Sequence, residues 1–294
     1  MTPRQISLLL GLAAVWGASF LFIAIAVDDL GAVGVGEGRV VLALAGLVAY
    51  AAAAGRLPAL RARWRGYLVL GAINAAVPFF LIGAAEKTIP ASLAAIVNAT
   101  APLFSALIGV LLLGDPLGSR RAAGLAVGIG GVALVVGLAP VHLTTTTILA
   151  IAASLGAAAA YGAGGHLVKL RFSRESPLAL AIGQQAGAML VLAPFLAVEP
   201  PSRAPDSGAI WAVVGLGLVC TALAYMAYFR LIAELGATSA LTVTYLVPVF
   251  GVLWAAIFRD EHITAGMVGG AIVVLAGVIL VTGRTTVQKS PPQS

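Results

Sequence analysis

Residues 98–115 read NATAPLFSALIGVLLLGD, and residues 244–261 read TYLVPVFGVLWAAIFRDE. Set one over the other, Pro102 meets Pro248, Phe104 meets Phe250 and Asp115 meets Glu261. The register continues outward over 86–137 and 232–283, where Gly124, Gly131 and Gly137 meet Gly270, Gly277 and Gly283. About a quarter of these positions are identical, a weak match for independent domains but an informative one for the duplicated halves of a membrane bundle. Such duplication points to a protein that moves solutes.

Composition fixes the solvent. Of the 294 residues 61% are hydrophobic and 10% charged, with a mean hydropathy of +1.05. A soluble domain carries about 25% charged residues. The net charge of +6 would suggest nucleic acid in a soluble protein; here it has a topological explanation, below. The single Cys220 excludes an internal disulfide. Arg4 ahead of an apolar run imitates a secretory signal, but Ile6 to Val27 is long enough to cross a ~30 Å bilayer core and is read as a retained span.

Charged and Pro/Gly-rich breaks divide the chain into ten apolar helices near 6–27, 34–54, 66–85, 90–113, 120–138, 147–169, 177–197, 209–231, 237–258 and 264–283. With the N-terminus inside, Arg4, Arg56, Arg61, Arg63, Arg65, Arg120, Arg121, Lys169, Arg171, Arg174, Arg230, Arg284 and Lys289 are cytoplasmic. The outer segments hold Lys87, Arg203 and Arg259 and most of the acids. This bias places both termini in the cytoplasm of a bacterial inner membrane, with attraction to anionic lipid as a secondary effect. Five spans per half is odd, so the second half enters upside down. The expected fold is an all-α integral membrane protein of ten transmembrane helices, built as two inverted-topology five-helix repeats. The first repeat covers 1–137, a linker with Pro140 and a Thr run covers 138–147, and the second repeat covers 148–284. The polar tail 285–294 is expected to be disordered.

Inverted repeats bind substrate near the bilayer midplane, so polar groups and helix breaks at depth are the candidates. Pro78, Pro102 and Pro248 each free the carbonyl four residues earlier, on Asn74, Asn98 and Thr244. In lipid such a carbonyl finds a neighbouring partner or lines a wet cavity. Trp16, Ser19, Tyr161, His166, Gln184, Gln185, Tyr225, Tyr228, Thr242, Tyr245 and Trp254 also lie at depth, where interhelical hydrogen bonding competes with a role in the pathway. Trp16 and Tyr161 hold near-equivalent places in the two halves. The pathway set is Trp16, Ser19, Asn74, Pro78, Asn98, Pro102, Tyr161, His166, Gln184, Tyr225, Thr244, Tyr245 and Pro248. The expected cavity is aromatic, dotted with amides and largely uncharged, with no Arg or Lys at mid-membrane. It suits small amphipathic or zwitterionic solutes. Glu37 and Glu86 sit near outer helix ends and are read as solvated caps, and His166 as a packed hydrogen-bonder. The GxxxG pairs Gly124/Gly128 and Gly266/Gly270, with Gly183/Gly187, are read as close helix contacts within the chain or in a homodimer.

Catalytic readings find little support. His142, His166 and His262 lack metal-ligand spacing, Gly215-Leu216-Gly217 lacks the third glycine of a dinucleotide fingerprint, and no P-loop is present. No cofactor or metal is expected, and a small-molecule substrate and the lipid bilayer are the expected partners. The competing functions are a lipophilic-cation or multidrug exporter, a nucleotide-sugar carrier and a membrane-embedded enzyme.

Four segments carry a resemblance. Val15-Trp16-Gly17-Ala18-Ser19-Phe20 and Gly38-Arg39-Val40-Val41-Leu42-Ala43-Leu44 resemble signatures of the EamA-type branch of the drug/metabolite transporter superfamily. So do Ala101-Pro102-Leu103-Phe104 with Leu113-Gly114-Asp115, and Leu246-Val247-Pro248-Val249-Phe250 with Asp260-Glu261. The resemblance covers about residues 6–284. It implies a ten-helix inverted-repeat carrier working by alternating access, similar to YddG-like exporters of aromatic and other neutral amino acids. It also implies a central pathway from helices 1–4 and 6–9, with helices 5 and 10 peripheral. Trp16, Arg39, Pro102, Pro248 and Glu261 are its motif positions, Arg39 and Glu261 in structural roles. Asp115 departs from the Glu usual in the first half.

Overall fold

The computed structural model describes residues 2–236, 240 and 242–283, and no strand occurs among them. The expected disordered tail, Arg284, Lys289 and part of the start of the ninth expected span lie outside the described residues. Eight helices are long and apolar enough to cross a membrane: α1 (Pro3–Ala53), α2 (Arg61–Glu86), α3 (Ala91–Leu113), α4 (Ser119–Leu138), α5 (Thr145–Arg171), α6 (Pro177–Ala197), α7 (Ser207–Leu235) and α9 (Ala265–Thr282). The shorter α8 (Val243–Phe258) is also apolar.

The expected loop between spans one and two is absent, because a single glycine makes that turn. α1 holds 51 residues, and a straight helix of that length would run roughly 75 Å, over twice the bilayer core. It is broken at Gly31, whose φ of 71° and ψ of 171° lie outside the helical region, a conformation that glycine reaches readily because it has no Cβ. The carbonyl of Asp29 there accepts from the amides of Ser202 (2.8 Å) and Arg203 (3.3 Å). The two arms of α1 then go separate ways: Gly17 abuts Phe250 and Gly251 on α8, and Gly38 abuts Val213 on α7.

Close contacts between the halves occur in exchanged pairs. Gly17 meets Phe250–Gly251 while Gly162 meets Phe104–Ser105, and Gly217 meets Leu42–Ala43 while Gly71 meets Gly187–Ala188. α4 and α9, the equivalent last helices of the halves, pack against each other. Gly124 faces Gly277 and Val281, Gly131 faces Val274, Val135 faces Gly270 and Leu138 faces Gly266. These pairs advance in opposite directions, so α4 and α9 lie antiparallel. The GxxxG glycines are consumed in this seam. Large apolar side chains such as Leu111, Leu112, Ile129, Leu149 and Ile272 point outward, which suits lipid as the surrounding solvent.

Charged side chains gather at two ends. Asp29 with Arg203, and Lys87 with Glu199, join segments 29–87 and 199–203 at one end. Arg63 with Glu175 joins the connections at the other. Of these, the sequence assigns Asp29, Lys87, Glu199 and Arg203 to the outer face and Arg63 to the inner.

Candidate functional site

A cavity of about 380 Å³ lies among α1, α2, α3, α5, α7 and α8. Of the expected pathway residues, Trp16, Ser19, Asn74, Asn98, Pro102, Tyr161, Tyr225, Thr244 and Pro248 line it. Pro78, His166, Gln184 and Tyr245 do not. Pro78 is buried at the start of the helical turn after Ala76. His166 Nε2 lies 2.8 Å from the Ser105 carbonyl, clamping α5 to α3. Tyr245 shares a 2.6 Å hydrogen bond with Thr282, directed at α9. Gln184 stands one layer behind the wall: Asn74 Nδ2 donates to its Oε1 (2.7 Å), and its Nε2 donates to the Tyr225 hydroxyl (2.9 Å). It holds an amide of the first half against a phenol of the second.

Two irregular stretches supply part of the wall. α2 is π-helical at Ala72–Ala76 and α7 at Gly215–Leu223. They occupy equivalent places in the two halves, and Asn74 of one and Cys220 and Thr221 of the other line the cavity. A π-bulge inserts a residue into the helical ladder and re-aims the side chains around it, a feature frequent at functional sites. At Pro102, where the sequence gives a freed carbonyl inside one helix, the helix is interrupted, with Ala99 and Thr100 outside helix and the Thr100 hydroxyl donating to the Val97 carbonyl at 2.6 Å. Pro248 sits inside the helix that runs Val243–Phe258. Equivalent prolines therefore have different local structures.

The expectation of an uncharged cavity is corrected: Arg39 lines it. Its residue is 7% exposed, its Nε donates to Thr221 Oγ1 at 2.9 Å, and its guanidinium carbon lies 3.9 Å from the Phe79 ring centre. Thr221 in turn donates to the Leu216 carbonyl within the π-helical stretch (2.8 Å). No carboxylate stands within ion-pair distance of Arg39 among the described residues. Sequence reading missed this because Arg39 lies near the start of its span by position. The turn at Gly31 and the packing of Gly217 onto the Arg39 carbonyl and Leu42 place it against the cavity instead.

The solvated-cap reading of Glu37 and Glu86 is corrected as well. Both are 8% exposed, and Glu37 Oε2 has no hydrogen-bond partner among the described residues. Neither lines the cavity. A buried atom without a protein partner that belongs to a lining residue is Asn98 Oδ1. Trp16 and Tyr228 form an aromatic pair at 5.3 Å, and Phe20, Phe79, Tyr161 and Tyr225 extend the apolar wall. The site thus offers one cation, an unpartnered amide oxygen and broad aromatic faces.

The EamA-like transporter family matches the sequence twice, over residues 4–137 and 148–283. The chain belongs to this family. Its members are transporters rather than enzymes, and the apolar helices agree with a multi-pass membrane protein. One similar protein is the "Probable terminal-alkyne amino-acid exporter" of Streptantibioticus cattleyicolor, 30% identical over 276 residues, covering 92% of this chain and 90% of that one. Another is the "Probable amino-acid metabolite efflux pump" of Salmonella typhimurium, 24% identical, covering 68% and 70%. The "Uncharacterized transporter YvbV" of Bacillus subtilis is 23% identical over 233 residues, 79% of this chain and 76% of that protein. A solved crystal structure matches over 96% of this chain and 97% of its own with a TM-score of 0.66 at 18% identity, which shows a shared fold.

Proposed function

We propose that this protein exports amino acids with neutral apolar or aromatic side chains, or closely related metabolites, by alternating access across the inner membrane. Arg39 carries the reading. A guanidinium in a buried aromatic cavity, without a carboxylate partner, is matched by a ligand that brings one. Asn98 Oδ1 supplies an acceptor for an ammonium, and the walls accept an apolar side chain. The printed names of two relatives, one an amino-acid exporter and one an amino-acid metabolite efflux pump, support the same class. A lipophilic cation would meet Arg39 as a like charge.

The pathway is proposed to run through Trp16, Asn74, Asn98, Tyr161, Tyr225 and their neighbours. The turn at Gly31 divides α1 into two crossings, for ten in all. The antiparallel seam of α4 and α9 supports inverted halves that rock about the cavity, with both termini cytoplasmic. The test is uptake of labelled amino acids into proteoliposomes, run beside the corresponding decarboxylated amines. Flux of the amino acid and not of the amine is the expected result. Equal flux of the two would remove the carboxylate assignment, and no amino-acid flux in folded protein would overturn the reading.

A further inference from the structure

A second cavity of about 850 Å³ lies at the far end of the molecule from the Asp29–Arg203 pair, between the start of α2 and the end of α5. Arg61, Arg63, Arg65 and Arg171 line it, and no acid does. Positive-inside bias accounts for arginines on this end but not for their gathering around one concavity formed by both halves. Arg63 is committed: it pairs with Glu175 at 3.2 Å and donates to the Arg171 carbonyl at 2.9 Å. Tyr67 also donates to Glu175 (3.1 Å) and packs on Phe172 with ring centres 5.2 Å apart, so this wall is built rather than loose. Arg61, Arg65 and Arg171 remain as cations facing the space.

The rest of the lining is apolar. Trp64 is 54% exposed at the rim with the Arg65 guanidinium 5.4 Å from its ring centre, and Val69 and Leu167 continue toward the flank of the bundle. A cationic bowl beside an indole and a hydrocarbon-facing wall matches the phosphate, glycerol and upper acyl chain of a phospholipid.

We propose that this cleft is a binding site for an anionic glycerophospholipid, with the headgroup held by Arg61, Arg65 and Arg171 and the upper acyl chain lying over Trp64 and Val69. A free phosphate shares the headgroup chemistry but has no use for the apolar wall. Because Arg63 of the lining pairs with Glu175 across the halves, bound lipid braces their contact at this end.

Trp64 reports occupancy directly. The full chain is reconstituted in phosphatidylcholine vesicles doped with phosphatidylglycerol or phosphatidylcholine brominated high on the acyl chain, and the Trp64 signal is taken as the difference from a Trp64→Phe variant. Brominated phosphatidylglycerol should quench that signal at lower doping than brominated phosphatidylcholine. Arg61→Gln and Arg65→Gln should each shift the titration about fivefold, Arg61→Lys should shift it less, and inorganic phosphate should not reverse the quenching. Equal quenching by the two lipids, or an unshifted titration in the folded double variant, would overturn the proposal. Reversal by inorganic phosphate would reassign the site to a soluble anion and also overturn it. The readout is binding and not transport, so its failure leaves the amino-acid reading standing.

Discussion

At the scale of the residue, Arg39 sets what the cavity can hold. Hydrogen bonds to charged groups contribute about 1.5–3 kcal/mol, so Arg39→Gln should weaken amino-acid binding about 10–100-fold. Flux of a decarboxylated amine, which has nothing to offer the guanidinium, should fall far less. Trp16→Ala and Tyr161→Ala should lower flux while expression and folding are retained. Unchanged flux in both would remove them from the proposed pathway. Glu37 is the opposite case, a buried carboxyl group that gains nothing visible from its site. Its Oε2 has no hydrogen bond to lose, and burying an unpaired charge is unfavourable. Glu37→Gln should therefore not lower the thermal unfolding midpoint in detergent, and a drop would show a hidden partner.

At the scale of the element, helix ends and breaks build both the site and its closure. Glu261, beyond α8, accepts from the Ala91 amide (2.9 Å), the Ser92 amide (3.1 Å) and the Ser92 hydroxyl, which caps the first turn of α3. A carboxylate there satisfies free amides and complements the helix dipole. Glu261→Ala should destabilise the protein by about 2–4 kcal/mol, read as a loss of unfolding midpoint, with Glu261→Asp recovering part of it. Glu199 ties α1 and α2 at the same end. Burial acts to raise its carboxyl, but the Lys87 ammonium and the Ala32 and Val33 amides outweigh it and hold the group below its usual value. A lowered folded value stabilises above the ordinary carboxylate range, near pH 4.3, and that contribution is lost as pH falls through the folded value. The acid loss of stability should thus be shallower in Glu199→Gln than in the parent protein.

At the scale of the whole molecule, two halves meet at an antiparallel seam of glycines. A Cβ on Gly277 would stand 2.5 Å from the Gly128 amide nitrogen, and one on Gly131 would stand 2.6 Å from that of Val274. Backbone cannot yield as a side-chain tip can. Gly277→Leu should force α4 and α9 apart and cost about 1–3 kcal/mol or more, seen as lost monodisperse yield. An exposed glycine such as Gly130, with open space around it, should accept the same change. Sidedness has its own check: with buried Cys220 replaced by Ser, a cysteine at Ser202 should label from outside intact cells and one at Gly118 only after permeabilisation. The reverse pattern would invert the topology.

Much of this was legible in the sequence because its causes are local or periodic. Apolar length marked the membrane-crossing helices, the basic bias separated two charged ends, and the repeat of Pro102 and Phe104 at Pro248 and Phe250 pointed to the duplication that the family matches twice. Tyrosines, amides and prolines at depth named much of the cavity wall, since polar groups in lipid have few other places to go. What the sequence by itself determined was therefore solvent, duplication and an approximate inventory of the interior. Only the tertiary structure decided which groups face one another. The one-residue turn at Gly31 and the two π-helical stretches rotate side chains by amounts that no hydropathy pattern records. They bring Arg39 onto the cavity, set Gln184 behind Asn74 and Tyr225, and leave His166 and Tyr245 to packing. Glu37 and Glu86 are buried for the same reason: closeness to a helix end in sequence says nothing of what the neighbouring helices cover.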